Sequence, residues 1–256
     1  MKRTIAFTYG LGSYLAFLAT LLYAVGFIGN FGVPKSMDSP STTPWQSALL
    51  MDLGLLLLFA MQHSVMARRR FKNLISRVLP VEVERSTYVL ASSIALLLLF
   101  WKWRPLGGAV WTIEDSMGRG VLYGGYAFGW LLVLAATFAI NHFDLFGLRQ
   151  VWLHLQGQPQ KKLRFATPLF YRVVRHPLYV GWLCAFWITP TMTITHLFFA
   201  AVTTAYILVA IRFEERDLTR EHPEYAEYRR YVPMLVPNLG RQDKPVSVQS
   251  AIQGQG

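Results

Sequence analysis

Long uncharged apolar stretches alternate with short charged segments in the first half of the chain. The first has no charged residue between Arg3 and Lys35, and its apolar part, Ile5 to Phe31, is long enough to cross a hydrocarbon core about 30 Å thick at about 1.5 Å per residue. A cleaved signal peptide is the alternative for this stretch, but such peptides have a shorter apolar region that ends in a small-residue cleavage site. Three similar stretches follow, from about Trp45 to Ala67, Ser86 to Trp103 and Gly120 to Ile140. The pattern predicts four long membrane-spanning helices.

Two shorter apolar segments follow further along the chain, Leu178 to Thr189 and His196 to Ile211, and a Thr-Pro-Thr turn separates them. They predict a C-terminal helical hairpin, although each segment, at about 18 and 24 Å, is short for a full crossing. We expect flanking residues to extend the hairpin, because Thr167-Pro168 suits the start of a short interfacial helix over Leu169 to Val174. The predicted fold class is therefore an all-α integral membrane protein with four long spans, a C-terminal helical hairpin, and cytoplasmic interfacial helices with a lid.

Composition and charge agree with a membrane protein, since 53% of the residues are hydrophobic and only 15% are charged. The predicted spans place 21 of the 25 Lys and Arg residues on one side. By the positive-inside rule this side is cytoplasmic, and both termini lie there. The net charge of +11 is thus explained by topology, with anionic membrane lipids as its partner, and not by nucleic acid.

The apolar spans contain few ionisable residues. Asp52 is predicted to form a structural hydrogen bond near the outer interface, whereas a structural and a functional role are almost equally plausible for His63. The single cysteine and six histidines show none of the spacings typical of zinc sites, so no metal site is predicted. No second histidine lies opposite His63 at the depth needed to ligate haem.

The most informative segment reads Arg-His-Pro-Leu-Tyr-Val-Gly at 175–181. Pro177 predicts the start of a helix, with His176 just before it and free backbone amides facing the cytoplasm. Such a helix start suits a carboxylate ligand. Alternatively, the segment marks only a membrane entry, with Tyr179 at the interface.

A second informative segment, Arg212 to Leu218, lies where the last apolar segment leaves the membrane. Its Glu214-Glu215 pair is predicted either to form salt bridges with arginines one turn away or to bind a cation. The following helix carries tyrosines at 225, 228 and 231 and ends at the proline-rich segment 232–237. This helix is predicted to lie over the cytoplasmic mouth as a lid.

Together, these two segments resemble the membrane methyltransferases of the isoprenylcysteine carboxyl methyltransferase type. Three further segments, Asn141 to Gln150, Thr167 to Tyr171 and Pro233 to Pro237, are similar to one branch of that superfamily, the bacterial methanethiol S-methyltransferases. The resemblance then covers most of the chain. One departure is His222-Pro223, which stands where the superfamily usually has Phe-Gly, so the lid geometry cannot be carried over.

The resemblance implies an enzyme that uses S-adenosyl-L-methionine to methylate methanethiol to dimethyl sulfide in the bacterial cytoplasmic (inner) membrane. It also implies a membrane scaffold over residues 1–140, a catalytic region over 141–237 and a flexible tail over 238–256. The cofactor-binding residues that it implies are Tyr171, His176, Pro177, Leu178, Tyr179 and Glu214.

The chemistry of the residues adds candidates for catalysis. An aliphatic thiol is mostly protonated at neutral pH, so its methylation needs a base or a cation that stabilises the thiolate. We expect Arg212 to be that cation, and His154, Glu215 or Asp144 to be the base. The alternatives are a related enzyme acting on a prenylcysteine carboxylate or a lipid amine, and a non-enzymatic membrane protein with the same fold. The sequence leaves the oligomeric state open.

Overall fold

A computed structural model describes residues 2–160 and 168–238 of the chain. Five helices in this part are long and apolar enough to cross a membrane. They are α1 (Arg3–Gly29), α2 (Trp45–Ala67), α4 (Val81–Lys102), α5 (Ser116–Ile140) and α9 (Ile194–Glu221). The shorter helices are α3 (Arg69–Ile75), α6 (His142–Leu145), α7 (Leu148–Gln156), α8 (Pro177–Trp187) and α10 (Glu224–Tyr231), with a 3₁₀ turn at Leu169–Arg172. The predicted all-α class is confirmed, and α1, α2, α4 and α5 lie where the four spans were predicted.

The last predicted apolar segment, His196 to Ile211, forms only part of its helix. Helix α9 continues to Glu221 and is 28 residues long, or about 42 Å. Ion pairs hold its polar end against the end of α2 and the start of α3: Arg68 binds Asp217 at 3.0 Å, and Arg69 binds Glu221. Loss of hydropathy therefore marks where α9 leaves the membrane and not where the helix ends.

The helix before it, α8, has only 11 residues, and an extended segment continues its path. Strand β2 (Thr191–Thr193) pairs antiparallel with β1 (Ala109–Thr112), which lies between α4 and α5. Helix α8 alone is about 17 Å long, and residues 188–190 lead from its end to this ribbon. The hairpin is thus extended at its turn, by a ribbon that the sequence analysis did not predict. Thr167 of the predicted flank lies outside the described residues.

Glycines bring α5 and α8 into close contact. A Cβ atom added to Gly181 of α8 would lie 2.8 Å from the carbonyl oxygen of Gly129 of α5, and one added to Gly129 would lie 2.7 Å from the backbone nitrogen of Ala185. Two helices can approach this closely only where side chains are absent. These two glycines therefore fix the position of α8 and of the segment before it.

Aromatic and aliphatic side chains from several helices form the main buried cluster. Phe27 of α1, Trp103 just after α4, and Phe186 of α8 are among its members, and Phe199 of α9 packs edge-on against both Trp103 and Phe186. The cluster connects the long helices with the ribbon side of the molecule. Of the predicted flexible tail, residues 239–256 lie outside the described part of the chain.

Candidate functional site

Helix α8 begins at Pro177, as predicted, with His176 directly before it. Proline has no backbone N–H to lose at the first position of a helix, and its ring disfavours helical geometry in the residue before it. His176 accordingly has φ −127° and ψ 62°, outside the helical region. This bend turns the His176 side chain back toward α9.

A buried ion cluster lies where the start of α8 meets α9. Oε1 of Glu215 accepts hydrogen bonds from Nε of Arg175 at 2.7 Å and from Nε2 of His176 at 3.1 Å. Oε2 of the same carboxylate lies 3.4 Å from Nε of Arg229 in α10. The Glu215 and Arg175 side chains are only 7% and 10% exposed. Buried charges of this kind are tolerated when they are paired and hydrogen-bonded, so the cluster holds α8, α9 and α10 together.

The proline-rich segment after α10 also binds at this point. The backbone N–H groups of Arg175 and His176 donate to the carbonyl oxygens of Pro233 at 2.8 Å and Met234 at 3.2 Å. Nη1 of Arg175 donates to the carbonyl oxygen of Val232 at 2.5 Å. The segment thus satisfies backbone groups that a helix start would otherwise leave unpaired. These contacts explain why the proline-rich segment 232–237 and the Arg-His-Pro motif occur in the same chain.

Glu214 makes a different contact from its neighbour Glu215. Its Oε2 atom accepts a 2.9 Å hydrogen bond from the hydroxyl of Tyr179, one turn into α8, and the Glu214 side chain is exposed. The ring of Tyr179 lies 5.5 Å from that of His176. An accessible carboxylate beside aromatic rings is an arrangement that attracts a cation.

Tyr171 lies beside this pair, just before the motif. Its hydroxyl is buried and has no hydrogen-bond partner within the described residues. Burial raises the pKa of this phenol, and the nearby Glu214 carboxylate raises it further. The carbonyl oxygen of Tyr171 accepts a hydrogen bond from the hydroxyl of Tyr228 in α10. A buried donor without a partner is rare in folded proteins, so this hydroxyl is available to a ligand atom or a water molecule.

The structure thus brings together Tyr171, His176, Pro177, Tyr179, Glu214 and Glu215 from the candidate list, with Leu178 between Pro177 and Tyr179 in α8. The sequence analysis did not predict the role of Arg175 in this site. The signal was present, since an arginine beside a histidine at a membrane entry needs a counter-ion, but its partner lies 40 residues away in sequence.

Two other candidates lie in a separate region formed by α6 and α7. Nδ1 of His154 is 3.3 Å from Oε1 of Glu82, in the first turn of α4. Oδ1 of Asp144 accepts a 2.8 Å hydrogen bond from Arg149. Helix α7, which carries His154, packs against α1 and α4. The contacts of both residues are therefore made away from the Glu214 and Glu215 carboxylates.

Arg212 lies on α9, one turn before Glu215. It is exposed and forms no ion pair within residues 2–160 and 168–238. It precedes Glu214 by two residues, which places the two side chains about 160° apart around the helix axis. The expected salt bridge to Glu215 is absent there, because Arg175, His176 and Arg229 bind that carboxylate instead.

An apolar cavity of about 660 Å³ lies between α1 and α5. Its lining includes Val25, Tyr126 and Trp130 and none of the candidate residues. The cavity offers no charged group, so it does not fit a charged cofactor, and the candidate site is the Tyr171, Tyr179 and Glu214 region.

Several known proteins are similar to this chain over most of its length. The chain is 54% identical over 242 residues to a methanethiol S-methyltransferase of Crocosphaera subtropica, an alignment that covers 94% of this chain and 95% of the relative. It is 49% identical over 238 residues to a methanethiol S-methyltransferase of Mycobacterium tuberculosis, which covers 93% and 98%. Human nurim is 31% identical over 205 residues, which covers 73% and 78%. No family model and no solved structure matches the chain. At this identity and coverage, the chain belongs to the methanethiol S-methyltransferase family.

Proposed function

We propose that the protein transfers a methyl group from S-adenosylmethionine to methanethiol, giving dimethyl sulfide. The observation that carries the proposal is the Tyr179–Glu214 pair at the start of α8, in a chain about half identical to enzymes named for this reaction. The methyl donor follows from the resemblance and from the fit of the residues. The donor supplies a methyl group activated by a positively charged sulfur.

The residues fit such a donor on three points. The exposed Glu214 carboxylate and the Tyr179 ring suit a positively charged group. The unpartnered hydroxyl of Tyr171 is available to a polar atom of the ligand. The first amides of α8, beside His176 and Pro177, suit a carboxylate. The predicted cofactor-binding role of Leu178 is an apolar contact in the same turn.

Helix α10 supports the proposed lid. Tyr225 is buried, its ring lies 5.6 Å from that of Tyr228, and Tyr228 binds the carbonyl oxygen of Tyr171. Arg229 reaches Glu215 from the same helix. Because α10 thus covers the segment that carries the cofactor candidates, we propose that it shields the transfer from water, as a displacement at a charged centre requires.

The acceptor-side candidates differ in how well their contacts fit. Each of the three candidate bases already has a partner. Asp144 binds an arginine, His154 lies beside a carboxylate, and Glu215 contacts two arginines and a histidine. Their roles as base stay predictions. The role of Arg212 as the thiolate-binding cation also stays a prediction; the residue is exposed and lies one turn before Glu215.

We further propose that both termini and the α8 start lie in the cytoplasm of a bacterial inner membrane, as the charge distribution favours. The partners are a small thiol and membrane lipids.

The function is tested by incubating the purified protein in detergent with S-adenosylmethionine and a panel of thiols, and measuring volatile sulfides by headspace gas chromatography. We expect dimethyl sulfide from methanethiol and a steep fall with longer thiols. Faster turnover of a prenylcysteine would contradict the proposal.

A further inference from the structure

A second polar cluster lies inside the helix bundle, next to the Tyr179–Glu214 pair. Three consecutive polar residues, Gln62, His63 and Ser64, occur near the end of the otherwise apolar helix α2. The Tyr88 hydroxyl of α4 lies 2.8 Å from Nε2 and 3.0 Å from Nδ1 of His63. Ser92, one turn further along α4, lies 3.3 Å from Nδ1. Polar side chains in a membrane helix are costly, so a cluster of them calls for a function.

The cluster extends to α9, the helix that carries Glu214. The Ser64 hydroxyl lies 3.1 Å from that of Tyr206. Tyr206 precedes Glu214 by eight residues, or about 12 Å along the helix, and lies about 80° from it around the axis. The phenol of Tyr179 interacts electrostatically with those of Tyr206 and Tyr88 as well as with Glu214. The cluster is therefore linked, through Ser64 and Tyr206, to the helix that carries Glu214, on the membrane side of that residue.

The hydrogen bonds within the cluster leave one group unsatisfied. The amide nitrogen of Gln62 donates to Ser92 at 3.3 Å, but its Oε1 atom is buried without a partner in the described part of the chain. Most buried polar atoms in folded proteins are paired. The unpaired oxygen therefore leaves the cluster an acceptor for a further polar group, such as a thiol or a water molecule.

The groups that contact His63 come from α2 and α4. Tyr88 and Ser92 of α4 lie 2.8 and 3.3 Å from its ring nitrogens, the Phe59 ring of α2 stacks on it at 5.2 Å, and the Arg85 guanidinium interacts with it electrostatically. Tyr206 of α9 reaches the cluster through Ser64. None of these groups is a carboxylate. A neutral imidazole is the form that accepts a proton.

We propose that His63 is the catalytic base that removes the thiol proton of the acceptor, with Tyr88 as its positioning residue. This inference rests on the proposed function. The thiol S–H bond breaks and its proton goes to a ring nitrogen of His63. The electron pair left on the acceptor sulfur forms the new bond to the methyl carbon, while the bond from that carbon to the donor sulfur breaks and its electron pair stays on the donor sulfur. The imidazolium returns its proton to water when the products leave.

The test compares two acceptors that differ mainly in acidity. Methaneselenol has the shape of methanethiol but is a much stronger acid and is already an anion at neutral pH, so it needs no base. We expect His63→Gln to lower methanethiol turnover by about 100-fold or more, as for loss of a general base, and to change methaneselenol turnover by less than about threefold. Methanethiol turnover by this variant should rise with pH as the thiolate fraction grows.

A readout apart from turnover shows that the variant is folded. S-adenosylhomocysteine should raise the melting temperature of His63→Gln as much as that of the unchanged protein, since the cofactor residues are intact. The matched control is His142→Gln, because His142 is also buried and bound to a tyrosine, Tyr14, at 2.9 Å. We expect the control to affect both acceptors equally.

Several outcomes would overturn the inference. An equal loss on both acceptors, with the melting shift retained, would show that His63 has only a structural role. Unchanged methanethiol turnover in this variant would show that His63 has no role in the reaction. Should His63→Gln fail to fold, Tyr88→Phe provides the same comparison, with a smaller selective loss on methanethiol expected and an equal loss contradicting the inference. Absence of methanethiol turnover in the unchanged protein would instead contradict the proposed function.

Discussion

Glu214 and Glu215 are adjacent on α9 but bind different partners: Glu214 accepts a 2.9 Å hydrogen bond from Tyr179, whereas Glu215 accepts one of 2.7 Å from Arg175. Successive residues of a helix point about 100° apart, so the two carboxylates face different parts of the site. Glu215 is buried among cations and Glu214 is exposed. The pair therefore divides into a structural carboxylate and one that is available to a ligand.

The first prediction concerns the buried carboxylate, Glu215. Glu215→Gln leaves the Arg175 guanidinium buried without a counter-ion, which typically costs about 3–5 kcal/mol in free energy of unfolding. We expect a lower melting temperature and poor recovery of folded protein from detergent. Thermal unfolding followed by circular dichroism measures this loss.

The matched control for that prediction is Asp217→Asn, two residues further along α9. Asp217 also binds an arginine, Arg68, at 3.0 Å, but the two side chains are 49% and 40% exposed. Exposed pairs contribute about 0–1 kcal/mol, so the control should unfold almost like the unchanged protein. Equal destabilisation by both substitutions would mean that the Glu215 cluster is not the buried support described above.

The second prediction concerns the exposed carboxylate, Glu214. Glu214→Ala should abolish the rise in melting temperature that S-adenosylhomocysteine causes, while leaving the protein in the membrane. Tyr179→Phe removes only the hydrogen bond that orients the carboxylate and should weaken ligand binding about tenfold, equivalent to roughly 1.4 kcal/mol. Tyr23→Phe is the control, since Tyr23 binds the carbonyl oxygen of Lys35 outside the site. A full shift in Glu214→Ala would exclude this carboxylate from the ligand site.

Much of this site could be predicted from the sequence because local signals were strong. Proline marks the start of α8, and a run of apolar residues marks each long helix. The pairing of Arg175 with Glu215 could not be predicted, because it depends on how two helices pack across 40 residues. The same limit applies to Arg212 and Glu215, where one-turn spacing indicated a salt bridge that other partners replace.

The ribbon formed by β1 and β2 could not be predicted from the sequence for a different reason. Hydropathy identifies which residues prefer lipid, but it does not distinguish a short helix followed by an extended strand from a helix alone. Only the structure shows that β2 pairs antiparallel with β1 after the end of α8. Similarly, the end of α9 depends on ion pairs with Arg68 and Arg69, which hydropathy does not register.

The third prediction concerns the close contact between α5 and α8. Gly181→Ala places a Cβ 2.8 Å from the backbone of Gly129, and a backbone atom cannot move aside as a flexible side chain can. We expect a loss of about 1–3 kcal/mol in stability and a weaker response to S-adenosylhomocysteine, because the start of α8 moves with the helix.

Gly120→Ala is its control. A Cβ at Gly120 meets nothing within 4 Å, and alanine favours a helix by up to about 1 kcal/mol over glycine. This variant should be as stable as the unchanged protein or slightly more so. If Gly181→Ala behaved in the same way, the two helices would not be in the close contact described.

The fourth prediction concerns orientation in the membrane. In a Cys184→Ala background, Ser41→Cys and Gln158→Cys each introduce one exposed thiol, and an impermeant maleimide added to intact cells should label the first and not the second. Labelling of both after lysis is the control for accessibility. The reverse pattern would place the α8 start outside the cell and contradict the cytoplasmic assignment of the site.

The last prediction concerns Arg212, whose charge was expected to stabilise the thiolate. A cation in that role would make Arg212→Ala lose about 100-fold or more in turnover and would let Arg212→Lys recover part of it. Arg212 is exposed and lies one turn before Glu215 on α9, about 60° from it around the helix axis. We therefore expect both effects on methanethiol turnover, measured with saturating S-adenosylmethionine. A change of less than about threefold in both variants would remove Arg212 from the catalytic group.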